Sequence, residues 1–176
     1  YYSERGSRFN QLSRFWLAEA MYRNDQYDEA RELFVELYNA SALRGQDESY
    51  LIPYNIAYCH FKSGDYKSAM KWFDEYLGET KVKYRKEALE RKADCIFIAK
   101  DYKAASDAYG AVLDEYFDAD DIYPYYQCAI ASGLDRNIDR KISLLSNVMS
   151  ASPSSKFYPE ALFELGRTYV VLEDDD

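Results

Sequence analysis

The 176-residue sequence contains one histidine, four prolines and seven glycines. A single imidazole cannot complete a histidine-rich metal site. So few chain-breakers over this length exclude a fold of many short strands joined by tight turns. Cysteine is sparse too: Cys59, Cys95 and Cys128 form no close metal-type pair, and their odd number argues against a disulfide framework. No run of about 18 apolar residues occurs, so nothing reads as a membrane-spanning helix. Lys and Arg total 22 against 31 Asp and Glu, a net charge of −9. That balance opposes binding to a phosphate backbone, which needs clustered cations to release counterions, so neither nucleic acid nor an anionic membrane is an expected partner. No nucleophile–base pairing, phosphate loop or dinucleotide fingerprint is present. The expectation is a non-enzyme with no catalytic residue, cofactor or metal.

What the sequence has in quantity is rings and repetition. Tyr occurs 19 times, and hydrophobic residues make up 48% of the chain. Three segments are nearly interchangeable: Asn24-Asp25-Gln26-Tyr27-Asp28-Glu29-Ala30, Gly64-Asp65-Tyr66-Lys67-Ser68-Ala69 and Lys100-Asp101-Tyr102-Lys103-Ala104-Ala105. Each opens an apolar run of helical period with an aromatic four residues after its Ala: Phe34, Phe73 and Tyr109. Twelve positions before each Ala stands another small residue, Ala18, Ala57 or Ala93. The small residues let two helices approach, and the ring fills the space between them. The Asp of each turn is placed to cap the second helix. The period predicts a fourth unit around Ile142 and Ser146, and a fifth opens at Ala161. Helices are expected over 7–24, 26–40, 49–63, 66–78, 83–99, 102–116, 121–133, 136–150 and 157–171.

The pattern resembles the tetratricopeptide repeat, with Leu162, Leu165, Gly166 and Tyr169 matching its first-helix signature. Leu17, Ala18, Met21, Ala30 and Phe34 match in the first unit, Ile56, Ala57, Ala69 and Phe73 in the second, and Ala93, Ile96, Ala105 and Tyr109 in the third. The resemblance implies an all-α, right-handed superhelical array forming one domain over 1–176. Its repeats fall at about 7–40, 49–80, 83–118 and 121–152, with a partial one at 157–176. Lys92 stands where an apolar residue is expected and should carry its charge to the edge. His60, Cys59 and Cys95 are read as packing residues. The acidic tail Glu173-Asp174-Asp175-Asp176 is read as the turn into a following helix.

The same resemblance implies a groove lined by the first helix of each repeat. By register, its stripe holds Phe15, Glu19, Tyr22 and Arg23, then Tyr54, Asn55, Tyr58, Phe61 and Lys62. Glu90, Arg91, Asp94 and Phe97 follow, with Gln127, Phe163 and Arg167 at the end. These residues either line the groove or pack between repeats. Asn55, Lys62 and Arg91 are scattered among acids, which argues against a clamp for a terminal carboxylate. The implied function is a scaffold that binds a peptide or protein segment; the alternative is a spacer or oligomerisation array in a longer protein. Self-association through the C-terminal repeat is a further expected contact. The chain starts without Met, and the linker Ser152-Pro153-Ser154-Ser155-Lys156-Phe157-Tyr158-Pro159 resembles bacterial cell-envelope repeat proteins. Together these suggest a piece of a bacterial protein, with the cytoplasm as the alternative compartment.

Overall fold

The computed structural model describes residues 2–116, 121–151 and 157–174, which are helical with short connections and contain no strand. The chain divides into two compact units, 1–88 and 89–176.

The first unit contains α1 (Tyr2–Arg23), α2 (Tyr27–Asn39), a 3₁₀ turn (Asp47–Leu51), α3 (Ile52–Lys62), α4 (Tyr66–Leu77) and the start of α5 (Arg85–Ile98). Phe15 and Ala18 of α1 are buried with Ala30, Phe34 and Leu37 of α2, and the Phe15 and Phe34 rings meet edge-on at 5.5 Å. Ile52, Ile56 and Cys59 of α3 extend this core, and α4 buries Ala69, Phe73 and Tyr76. Each buried aromatic contributes about 1.5–3 kcal/mol of apolar transfer, which holds together hairpins too short to be stable alone. The expected small-residue and ring pattern is therefore the physical core. Leu17 departs from it and lies about half exposed.

The second unit comprises the rest of α5, α6 (Tyr102–Glu115), α7 (Tyr123–Leu134), α8 (Ile138–Ala151) and α9 (Tyr158–Asp174). Ala93, Ala105, Tyr109, Cys128 and Ala131 form one cluster. Ile122, Ala129, Leu145, Val148 and Ala161 form another. Ser106 and Ser132 hydroxyls meet at 2.8 Å within the buried α6–α7 contact, and Ser132 also donates to the Cys128 carbonyl.

The helix-to-helix turns repeat residue by residue. Asp25, Gly64, Lys100 and Arg136 each adopt positive φ (60°, 81°, 65° and 63°). The next residue immediately precedes the following helix, which starts at Tyr27, Tyr66, Tyr102 or Ile138. Asp65 and Asp101 accept from the backbone N–H three residues on, at 3.1 Å each, as their sequence implies. Asn137 caps α8 in the same way, accepting from Arg140 N at 3.2 Å. At the first turn Gln26 makes no side-chain cap. The N–H groups of Gln26, Asp65 and Asn137 donate to carbonyls five residues back, closing a left-handed helix stop that favours glycine. Only the second repeat has glycine there.

Counting from these turns corrects the fourth repeat by one residue. The slot filled by Ala30, Ala69 and Ala105 falls on Lys141, and the ring slot on Leu145, whereas Ile142 and Ser146 are only partly buried. The apolar Ile142 made the shifted register look better. Instead the Lys141 stem lies over Gly133, where a Cβ would come within 2.6 Å of Lys141 Cδ. Its ammonium donates to Glu164 on α9 at 2.9 Å. The three earlier repeats carry Tyr22, Phe61 and Phe97 at the Gly133 position, each edge-on to the tyrosine that opens the next helix (Tyr27, Tyr66 and Tyr102). Removing that ring at Gly133 makes room for the lysine.

The acidic tail also differs from expectation. α9 runs through Glu173 to Asp174, because Val170 to Asp174 includes no helix breaker. Asp175 and Asp176, the linker residues 152–156 and positions 117–118 of the third repeat lie outside the described residues. Leu165 packs against the second cluster of this unit, while Leu162 and Tyr169 are about half exposed. Lys92 is half-buried.

Candidate functional site

In the first unit the helices α1, α3 and α5 bring rings and carboxylates to a common pocket of about 410 Å³. Trp16, Glu19, Tyr22 and Arg23 come from α1; Tyr54, Asn55 and Tyr58 from α3; Glu87 from the first turn of α5, with Tyr84 just before it. Leu51 and Phe15 form part of the wall, Phe15 being otherwise buried in the core. Residues three and four apart share a helix face, so Trp16, Glu19 and Arg23 form one such face, and Tyr54, Asn55 and Tyr58 the next.

The rings are mutually ordered. Tyr54 stacks on Tyr84 at 5.2 Å and lies 4.8 Å from Tyr58, which meets Tyr22 edge-on at 6.4 Å. Edge and offset contacts of this kind stabilise pairs by about 0.5–1.5 kcal/mol beyond burial. Asn55 donates to Glu19 and Tyr58 donates to Glu87, both at 2.5 Å. Arg23 lies 3.9 Å from Glu19 and is largely exposed, so that ion pair is weak and screened. Burial, followed by Cys59, Tyr27, Glu19 and Glu87, pushes the Tyr22 hydroxyl up to about 12. Burial and the Glu87 carboxylate raise Tyr54 and Tyr58 further, so these hydroxyls act as hydrogen-bond donors throughout the neutral range.

The remaining stripe residues sit elsewhere. Phe61 packs on Tyr66, and Lys62 is exposed. In the second unit Asp94 is buried and accepts from both Tyr109 and Tyr123. Arg91 pairs with Asp94 at 2.6 Å, and its guanidinium lies 4.9 Å from the Tyr123 ring centroid. Glu90 is buried with a carboxylate oxygen 3.7 Å from Arg91. Phe97 packs edge-on to Tyr102, Gln127 is half-buried and Phe163 is exposed. Arg167 pairs with Glu164 at 3.0 Å and lines a second pocket of about 390 Å³ with Gly133, Arg136 and Lys141. Burial opposes ionisation of Glu164, but hydrogen bonds from Lys141 and Arg167 outweigh it and hold its carboxyl below the ordinary value.

Trp16, Tyr84 and Glu87 line the first pocket but lie outside the expected stripe. A signal existed: Trp16, Asn55, Arg91 and Gln127 occupy one repeat position, nine residues before the positive-φ turn. Glu87 shares its position with Leu12, Leu51 and Tyr123, one turn earlier on the helix.

The single histidine serves packing: His60 is mostly buried, and its Nδ1 lies 3.2 Å from Asp65 Oδ2. Burial and the Arg31 charge nonetheless keep its pKa below the ordinary value. Cys59 and Cys95 are buried at equivalent positions, and desolvation pushes both thiols up to about 12. Among the described residues, no group of three or more His, Cys, Asp or Glu converges as a metal site, and no helix is long and apolar enough to cross a membrane.

Residues 12–40 match the family described as tetratricopeptide repeat. Among solved structures, MamA from Desulfovibrio magneticus RS-1 superposes with a TM-score of 0.75 at 21% identity, covering 93% of this chain and 86% of that one. YrrB, described as a repeat protein with an unusual peptide-binding site, gives 0.69 at 15% identity, over 91% of this chain and 76% of that one. Repeats of a putative kinesin light chain from Podospora anserina give 0.69 at 14%, over 96% and 89%. No curated protein sequence matches the chain. Residues 12–40 thus carry a tetratricopeptide repeat, and the chain shares the fold of these solved repeat structures.

Proposed function

We propose that this chain is a non-catalytic interaction scaffold whose first unit binds an extended or helical segment of another protein in the pocket between α1, α3 and α5. The observation that carries this reading is the ring-lined pocket itself. Trp16 is about half exposed and Tyr84 about one-third exposed at its rim, although both are large enough to bury. Pre-ordered rings supply contact area at little conformational cost, which is what a recognition surface requires. The peptide-binding site of YrrB gives a precedent on the same fold.

The test is selection of a displayed peptide library on the full chain, followed by binding to a Trp16→Ala/Tyr84→Ala variant. Selected peptides should bind the variant at least tenfold more weakly while its helical circular dichroism and melting stay within a few degrees of the parent. Equal binding to both proteins refutes the pocket as the site.

A second reading, self-association, has its own observation. Leu162, Phe163, Tyr169, Val170 and Val171 of α9 are each at least 47% exposed, an apolar patch of the kind that marks interfaces. Light scattering that stays monomeric at high concentration refutes it.

A further inference from the structure

The chemistry of the first-unit pocket narrows what kind of segment it takes. Resting on the reading of that pocket as the binding site, we infer that its principal ligand group is an arginine side chain of the bound segment, held over the rings of Trp16 and the tyrosines and paired with Glu19 and Glu87.

Charge complementarity carries the assignment. Two carboxylates, Glu19 and Glu87, border the pocket against one rim cation, Arg23. Both carboxylates raise the pKa of the Tyr22 hydroxyl, which lines the same pocket. Glu19 accepts a hydrogen bond from Asn55, and Glu87 accepts from Tyr58 with Tyr54 also bonded to it. A carboxylate has two oxygens and about four lone-pair sites, so capacity for a guanidinium remains. Those donors fix the carboxylates in place before a ligand arrives. Ring faces attract a guanidinium electrostatically, tryptophan most strongly, and a planar guanidinium stacks where an ammonium cannot. An acidic group would be repelled by both carboxylates, and a neutral apolar one would gain nothing from them.

The chain contains its own example of this arrangement. In the second unit the Arg91 guanidinium lies 4.9 Å from the Tyr123 ring centroid and pairs with Asp94 at 2.6 Å. Counted from the positive-φ turn, Arg91 occupies the position that Trp16 and Asn55 hold in the first two repeats. Asp94 occupies that of Glu19 and Tyr58. The third repeat fills the place with its own arginine. The first repeat has Trp16 and Glu19 at these two positions and the second has Asn55 and Tyr58, so neither carries an arginine of its own there, and an incoming arginine supplies one.

The test uses the full chain, ¹⁵N-labelled, titrated with acetyl-Gly-Gly-Arg-Gly-Gly-amide and with the peptide carrying citrulline, the uncharged isostere, in place of arginine. The arginine peptide should shift the Trp16 indole and the α3 amides around Tyr54 and Tyr58, and bind at least tenfold more tightly than the citrulline peptide. Glu87→Gln should remove most of that preference, and Arg23→Ala should strengthen arginine binding severalfold by removing the competing cation. Arginine and citrulline peptides shifting the pocket with equal affinity would overturn the arginine assignment while leaving segment binding intact. Shifts confined to acidic surface away from the pocket would overturn it as adventitious charge attraction. Absence of any pocket shift, together with no loss of library-selected peptides on the Trp16→Ala/Tyr84→Ala variant, would overturn both readings.

Discussion

The substitution of Lys141 for the alanine of earlier repeats makes an unusually discriminating prediction. Side chains of Lys141 and Glu164 are only 10% and 15% exposed, and they pair at 2.9 Å. Glu164 has a second cation in Arg167 at 3.0 Å, whereas the Lys141 stem is enclosed by Gly133. Removing the two partners should therefore have unequal effects. Glu164→Ala strands a nearly buried ammonium and should destabilise by about 3 kcal/mol, the lower end for breaking a buried pair. For a chain of this size that corresponds to a melting temperature lower by roughly 6–12 °C. Lys141→Ala restores the residue found in the other repeats and leaves Glu164 with Arg167, so its cost should be about 1 kcal/mol or less. Gly133→Ala supplies the sign reversal. In the parent, the added Cβ meets Lys141 Cδ at 2.6 Å, and overpacking of about 1–3 kcal/mol exceeds the gain of up to about 0.5–1 kcal/mol from replacing a glycine in the last turn of α7. With Lys141→Ala already in place the obstruction is gone, and the same change should stabilise by up to about 0.5–1 kcal/mol. Urea unfolding followed at 222 nm across this double-mutant cycle measures the coupling. Gly133→Ala having the same sign in both backgrounds, or Lys141→Ala costing as much as Glu164→Ala, would refute the packing argument.

The turns give a second test: Lys100→Gly and Arg136→Gly should each stabilise by about 0.5–1 kcal/mol, and Gly64→Ala should destabilise by about 1 kcal/mol, because all three positions have positive φ. Thermal melting measures each, and a stabilising Gly64→Ala would contradict the turn geometry. Capping should follow the sequence: Asp65→Ala and Asp101→Ala should each cost about 1 kcal/mol, while Gln26→Asp should gain about 0.5 kcal/mol by adding the missing cap. Denaturant midpoints that do not move would show these hydrogen bonds to be idle. Acid should loosen α9 first. The Glu164 carboxyl is held below its reference value of 4.5 in the fold, so its contribution is complete above about that pH and is lost as pH falls through the folded value. Hydrogen exchange in α9 should rise across that window, and Glu164→Gln should remove the dependence.

The repeat was legible because close helix packing constrains few residue types at fixed spacing. Ala30, Ala69 and Ala105, with Phe34, Phe73 and Tyr109, announced the hairpins, and each lies in a core. Helix ends followed from the same turns, within a few residues for all but α1. The fourth repeat was misplaced by one residue because hydrophobicity favours Ile142 over Lys141. Only the space over Gly133 and the carboxylate on α9 reveal why a lysine belongs inside. The groove stripe was harder still. Its first-unit members Glu19, Tyr22, Tyr54, Asn55 and Tyr58 do meet in one pocket, whereas Arg91 and Asp94 pair with each other and with tyrosines.

Sequence by itself thus determined the helical hairpins, their turns and most of the small-residue and ring contacts, since these depend on spacing along one helix or across one tight turn. Tertiary structure decided which rings and charges are available and which are already satisfied, since Glu19 meets Asn55 across 36 residues and Tyr58 meets Glu87 across 29. Lys141 reaches Glu164 across 23. Charge and ring content are properties of single residues. A binding pocket or a buried ion pair is a property of partners that folding brings together, and side-chain type alone does not select among them.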